Sequence, residues 1–169
     1  DARALNQWVG KEDSHLLINA LNEETFLTLY RDHSASDYWC CPYFDTYDIQ
    51  FLKNANPTFI LSIGCDAANY EFSYSLYYSG WKSRSVITEF CNVPVGALGG
   101  IGATTVTRSH YNDRLTWGFL DYIWPNFMPT LGSSSDPAFV RPSYALVAGK
   151  LFLTQGAFMA SWWPSQINS

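Results

Sequence analysis

Two side chains carry the types and positions that acyl-transfer chemistry needs: Cys65 and His33. A cysteine attacks as its thiolate, and at an ordinary pKa near 8.5 only about 3% is ionised at pH 7. An imidazole held nearby raises that fraction, or protonates the leaving amine later in the reaction. The oxyanion that forms on the attacked carbonyl needs backbone N–H donors, and losing one typically costs about 3–4 kcal/mol. Cys65 can offer its own N–H from the turn at Gly64. The loop after His33 can offer that of Ser34 or Ala35. Blander readings stand beside this one. A cysteine after an apolar run often packs as a small hydrophobe, and His33 could be an ordinary loop histidine. His110 also follows an expected strand and is a rival base, whereas His15 precedes a helix and is expected to be solvated.

The elements that must position this pair are read from hydrophobic pattern. Residues 25–30 (TFLTLY) and 58–63 (TFILSI) are short apolar runs rich in β-branched and aromatic types, the signature of buried strands. Residues 95–107 are Gly-rich and β-branched and read as another central strand, with neighbouring chain packed close against the glycines. Helices are expected over residues 16–21, 71–81 and 143–159, the last weakened by Gly149 and Gly156. Another runs from a cap at Asn112 or Asp113 to Ile123, ended by Pro125. Residues 46–52 read as a short helix, 86–90 as a short helix or strand, and 32–45 and 130–137 as surface loops. Strands alternating with helices indicate an α/β domain with a mostly parallel sheet. In such sheets ligands bind beyond the carboxyl ends of the strands. If the first two strands are parallel neighbours joined by a right-handed crossover, His33 and Cys65 emerge at one edge.

The chain has 169 residues, 17% of them aromatic and 15% charged, with a formal net charge of −5. That length suits a single domain with a normal core, and the composition excludes disorder. A nucleic-acid partner would favour a basic surface, and none is visible. No apolar run reaches the roughly 20 residues of a membrane helix. The four cysteines, Cys40, Cys41, Cys65 and Cys91, form no C-x-x-C pair, which argues against zinc. Adjacent Cys40 and Cys41 do not bond each other easily, but one of them could reach Cys91 if the chain folds back. The chain starts at Asp1 without Met, as a processed product or a piece of a longer polypeptide would.

Segment by segment, these residues match a family. The stretch Leu29-Tyr30-Arg31-Asp32-His33-Ser34, with Tyr38-Trp39 after it, resembles the histidine segment of gingipain-type cysteine peptidases, usually Tyr-Arg-Gly-His-Gly. Phe59-Ile60-Leu61-Ser62-Ile63-Gly64-Cys65 resembles the family's cysteine strand, 32 positions on. Residues 93–105 (VPVGALGGIGATT) resemble its third strand, and residues 118–127 its later helix end. The resemblance covers residues 16–163. It implies a caspase-like three-layer α/β sandwich with a mostly parallel central sheet, forming one catalytic subdomain over residues 1–169 of a longer polypeptide. It implies secretion or surface display, and endopeptidase activity on peptide or protein substrates. Segments of the protein's own precursor are candidate partners. It carries the acid/base to His33 and the nucleophile to Cys65; the loop reading adds Ser34 and Cys65 N–H as the expected oxyanion donors. The chemistry needs no cofactor; a structural calcium ion is compatible with the family, with no ligands assigned.

Asp32 and Ser34 stand where the family has glycines flanking the histidine, where glycine lets the backbone turn tightly. Asp32 would raise the imidazole pKa if the side chains approach. The replacements motivate a second reading, a catalytically inactive gingipain-like domain acting in secretion, adhesion or assembly. A carbohydrate-acting protein is a third, motivated by the aromatic stretch from Tyr38 to Tyr47 with Asp45 and Asp48. A pocket for a basic residue before the cut would need a carboxylate, and Asp37, Asp66 and Asp113 are equal candidates. Arg108 would disfavour a basic residue if it pointed inward.

Overall fold

The computed structural model describes residues 14–70, 84–128 and 140–159. The helix expected over residues 71–81 and the loop expected over 130–137 lie outside the described residues. The chain forms two compact units, Asp1–Thr107 and Arg108–Ser169.

Among the described residues, the first unit is built on a three-stranded parallel sheet. Its strands are β1 (Leu27–Tyr30), β4 (Thr58–Ser62) and β5 (Ala97–Gly102), in the order β1-β4-β5. The central strand β4 has the sequence TFILS, with every residue but Phe59 buried. A strand flanked on both sides and covered on both faces reads as a continuous apolar run, which is why this segment is so legible. Helix α1 (Ser14–Asn22) precedes β1, and α2 (Val86–Asn92) precedes β5. Ser85 caps α2, its hydroxyl accepting the Thr88 N–H at 3.4 Å. Helix α2 lies close on β5 because Gly100 leaves room for it: a Cβ there would come within 2.9 Å of Ile87 Cγ2.

Between β1 and β4 the chain is not the surface loop its polar, turn-rich sequence suggests. It forms a small antiparallel hairpin, β2 (Tyr38–Trp39) and β3 (Phe44–Asp45), pairing Tyr38 with Asp45 and Trp39 with Phe44. A 3-10 turn follows at Asp48–Phe51. The hairpin drives Trp39 and Phe44 into the core, 1% and 0% exposed. There they meet Phe90 of α2, with ring centroids 5.5 and 5.9 Å away. Leu21 of α1, Ile49 and Ile60 belong to the same cluster. Burying each such side chain contributes roughly 1.5–3 kcal/mol.

Among the described residues, the second unit comprises a helix pair, α3 (Ser109–Ile123) and α4 (Pro142–Met159). Helix α3 starts earlier than the expected cap at Asn112 or Asp113. Arg108 occupies the N-cap without a side-chain capping bond, and Asn112 lies inside the helix, its carbonyl accepting from the Thr116 hydroxyl at 2.8 Å. Pro142 opens α4, where its missing N–H costs nothing. Gly149 lowers helix propensity but makes the helix contact: a Cβ on it would lie 2.5 Å from the Leu115 carbonyl oxygen. Among the described residues, no helix is long and apolar enough to cross a membrane.

Candidate active site

The pairing of β1 with β4 sets the site. Tyr30 is in register with Ser62 at the carboxyl ends of the two strands. His33 and Cys65 therefore each stand three residues beyond a pair of in-register strand ends, as the expectation of parallel neighbours requires. β5 ends beside them, with Ser62 opposite Gly102. The Cys65 segment keeps its alignment past the strands: Asp66 N–H donates to Thr105 O at 3.2 Å and Ala68 N–H to Ala103 O at 2.9 Å.

The two loops are joined directly. Ser34 Oγ donates to the Cys65 carbonyl oxygen at 2.6 Å. Gly64 sits where no side chain fits, since a Cβ would lie 2.1 Å from Ser34 Oγ and 2.7 Å from the Asp32 carbonyl oxygen. Ser34, a departure from the family pattern, is thus the side chain that ties the histidine loop to the cysteine loop. The Asp32 carboxylate turns to the His33 backbone, accepting its N–H at 2.6 Å. No hydrogen bond or ion pair joins that carboxylate to the imidazole among the described residues.

Behind His33 the loop is clamped by the end of β1 and by the hairpin. The Tyr30 hydroxyl donates to the His33 carbonyl oxygen at 2.5 Å and accepts the N–H groups of Cys40 and Cys41 at 3.0 and 3.4 Å. Cys40 N–H also reaches the His33 carbonyl oxygen, at 2.9 Å. Burial pushes the Tyr30 phenol well above its ordinary range, outweighing the opposing N–H donations from Cys41 and Cys40. It is therefore a neutral donor near pH 7. Its ring stacks on Trp39, centroids 4.4 Å apart, and Trp39 Nε1 donates to Ser62 Oγ at 2.9 Å. One buried chain of contacts thus runs from the His33 backbone to the end of the strand that carries Cys65.

The Cys65 sulfur is half-buried and bracketed by Thr107. It accepts the Thr107 N–H at 3.4 Å and lies 3.6 Å from the Thr107 carbonyl oxygen and 3.8 Å from its hydroxyl. The His33 ring is exposed, and no hydrogen bond joins it to Cys65 among the described residues. Of the expected oxyanion donors, neither Ser34 N–H nor Cys65 N–H has an acceptor among the described residues, whereas Ala35 N–H is taken by Tyr38 O at 3.0 Å. The antiparallel bridge between Ser34 and Trp39 explains this: its bonds run through the flanking residues, leaving Ser34 N–H unused. Cys65 and Ser34 can therefore present two backbone donors beside a thiol.

The remaining candidates fall elsewhere. Asp66, at φ 55°, accepts from Asn69 Nδ2 at 3.3 Å. Asp37 gives its carbonyl oxygen to Thr46 N–H at 3.0 Å. Asp113 and Arg108 belong to the second unit, as does His110, which lies exposed in the first turn of α3 against Tyr111. His15 is exposed on α1. The carbohydrate reading loses its carboxylates to the backbone: Asp45 Oδ1 accepts the N–H groups of Tyr47 and Asp48 at 3.0 and 3.1 Å, and buried Asp48 accepts that of Asp45 at 3.0 Å. No group of three or more His, Cys, Asp or Glu side chains able to hold a metal ion occurs among the described residues. Tyr30 and Thr107 were missed in the sequence, although both sit at or just past a strand end on the edge already marked for the site.

The sequence matches peptidase family C25 over residues 2–141. No protein of curated function matches it. Among solved structures, the fold is similar to that of the Arg-specific cysteine proteinase gingipain R (RGPB), at TM-score 0.67 and 16% identity, covering 89% of this chain and 32% of that one. It is also similar to the complex of Porphyromonas gingivalis RgpB pro- and mature domains, at TM-score 0.58 and 17% identity, covering 83% of this chain and 34% of that one. The chain thus spans about a third of the length of the structures it matches. With the α/β fold, the strand-end histidine and cysteine and the family match in agreement, the chain belongs to peptidase family C25, the gingipain-type cysteine peptidases.

Proposed function

We propose that this chain carries the working dyad of a cysteine endopeptidase, with Cys65 as nucleophile and His33 as acid/base. The observation that carries the reading is the register: Tyr30 opposite Ser62 puts His33 and Cys65 at matching positions past one sheet edge, in loops bonded through Ser34. The Cys65 thiolate attacks the carbonyl carbon of the scissile peptide, and the electron pair of the C=O moves onto oxygen. The free N–H groups of Ser34 and Cys65 receive that oxyanion. As it collapses, the C–N bond breaks, His33 protonates the departing amine, and an acyl-thioester remains. His33 then takes a proton from water, whose oxygen attacks the thioester and releases Cys65. A resting contact between imidazole and thiol is not required, because the proton goes to an amine lying between them in the complex. Apart from water and the substrate, every group that acts in this scheme comes from the protein.

The reading takes peptides or proteins as substrates and places the protein outside the cell or at its surface. Other parts of a longer polypeptide complete the substrate pocket, and segments of its own precursor are partners. A peptidyl acyloxymethyl ketone tests the dyad. Wild type is expected to be labelled at Cys65 under reducing conditions, His33→Ala much more slowly, and Cys65→Ala not at all. Absence of labelling in the full-length protein would favour the second reading, a non-catalytic domain of this family serving secretion, adhesion or assembly. The feature that favours that alternative is the pair Asp32 and Ser34 at the glycine positions, whose side chains are both engaged in holding backbone.

A further inference from the structure

We propose that Cys40 and Cys41 are a thiol-redox modification site: exchange with a small-molecule disulfide closes them into a vicinal disulfide that loosens the clamp on the His33 loop. All four cysteines are free thiols. The Cys40 and Cys41 sulfurs lie 3.4 Å apart, Cys41 exposed and Cys40 half-buried, so a reagent can reach the pair. No comparable thiol contact involves Cys91 among the described residues. The sequence makes adjacent cysteines look like poor partners, but the local backbone brings their sulfurs into contact.

The exchange balances without further reagents. One thiolate attacks a sulfur of the small disulfide and expels one small thiol, leaving a mixed disulfide. The neighbouring thiolate then attacks the protein sulfur of that bond and expels the second. The two electrons pass to the reagent, which leaves as two thiols. The bond so formed is strained, because adjacent Cα atoms are about 3.8 Å apart across a trans peptide. Ordinary disulfides span roughly 4.4–6.8 Å. Strained, exposed disulfides are the readily reduced ones, which suits a reversible switch better than a staple.

The consequence follows from what the intervening peptide holds. Cys40 and Cys41 N–H both donate to the Tyr30 hydroxyl, and Cys40 N–H also donates to the His33 carbonyl oxygen. Bringing the sulfurs to a bond length of about 2.05 Å turns that peptide, and the 3.4 Å donation from Cys41 is the first to go. Tyr30 and the His33 carbonyl then lose part of their support. The effect on catalysis rests on the proposed role of His33; the modification itself does not.

The test uses the full chain carrying Cys65→Ser, treated with 4,4′-dithiodipyridine. Trypsin cuts after Arg31 and Lys53, so one peptide contains Cys40 and Cys41 and no other cysteine. That peptide is expected to be lighter by two hydrogen atoms and free of adduct, and to revert under a mild monothiol. The His33 imidazole NMR signals are expected to shift on oxidation, return on reduction, and stay fixed in a Cys40→Ser background, where Cys41 retains a single pyridyl adduct. Stable adducts on both thiols would overturn the site, and closure without a His33 shift would overturn its link to the loop. Neither readout depends on proteolysis, so a failed peptidase reading is distinguishable from a failed redox site.

Discussion

Gly64 has Ser34 and Asp32 against it on one side and Cys65 next to it in the chain. Adding a single Cβ there forces the histidine and cysteine loops apart, because the Asp32 carbonyl is backbone and cannot rotate away. A displacement of about 1 Å commonly costs on the order of 10²-fold in rate. Gly64→Ala is therefore expected to lower kcat/KM by about that factor while the protein still folds, checked by peptide hydrolysis beside circular dichroism. Ser34→Ala removes only the hydrogen bond to the Cys65 carbonyl. One such bond is worth about 1 kcal/mol, so roughly a fivefold loss in kcat/KM is expected. A loss as large as that of Gly64→Ala would mean that the hydroxyl does more than tie the loops. The strand ends that lead into His33 and Cys65 were legible in sequence, because the apolar runs of β1 and β4 stop there. The use of Ser34 was not: a serine in place of glycine reads as a lost turn residue, and only the fold reveals that its hydroxyl bonds the facing loop.

Among the elements, the hairpin Tyr38–Asp45 was the least visible and matters most to the histidine. Strands of two residues are too short to show a period, and their Tyr, Asp and Pro content looks like loop. Its anchor is Trp39, stacked on Tyr30 and bonded to Ser62. Trp39→Ala is expected to cost about 3–5 kcal/mol of stability in denaturant unfolding. Tyr30→Phe keeps the stack but leaves the Cys41 N–H without its acceptor, and about 1–3 kcal/mol is expected. Tyr30 also gives a pH signature. Burial raises its folded pKa above the unfolded value near 10. The stability it contributes is thus fully present below pH 10 and is lost as pH rises beyond it, because the unfolded chain releases the phenolic proton first. Wild type is expected to lose stability steeply above pH 10, and Tyr30→Phe less steeply. Equal slopes would contradict the burial argument. The cap of α3 was misplaced for a different reason. Asn112 and Asp113 are favoured cap types, but the helix begins before them at Ser109, and Arg108 at the N-cap makes no side-chain capping bond.

The whole chain is acidic and aromatic-rich, and it spans about a third of the gingipain structures it matches. The α/β class was readable because three apolar runs of strand length alternate with helical stretches. The sheet order was not written in any one of them; it emerges from β4 pairing with β1 on one side and β5 on the other. Family membership rests on a match over residues 2–141, whereas the proposed peptide cleavage rests on two side chains. The most direct measurement is cleavage of a diverse peptide library, read by mass spectrometry, comparing wild type with Cys65→Ala in the full-length protein. The account predicts a defined set of cuts by wild type and none above background by Cys65→Ala. Equal cleavage by both proteins would contradict it.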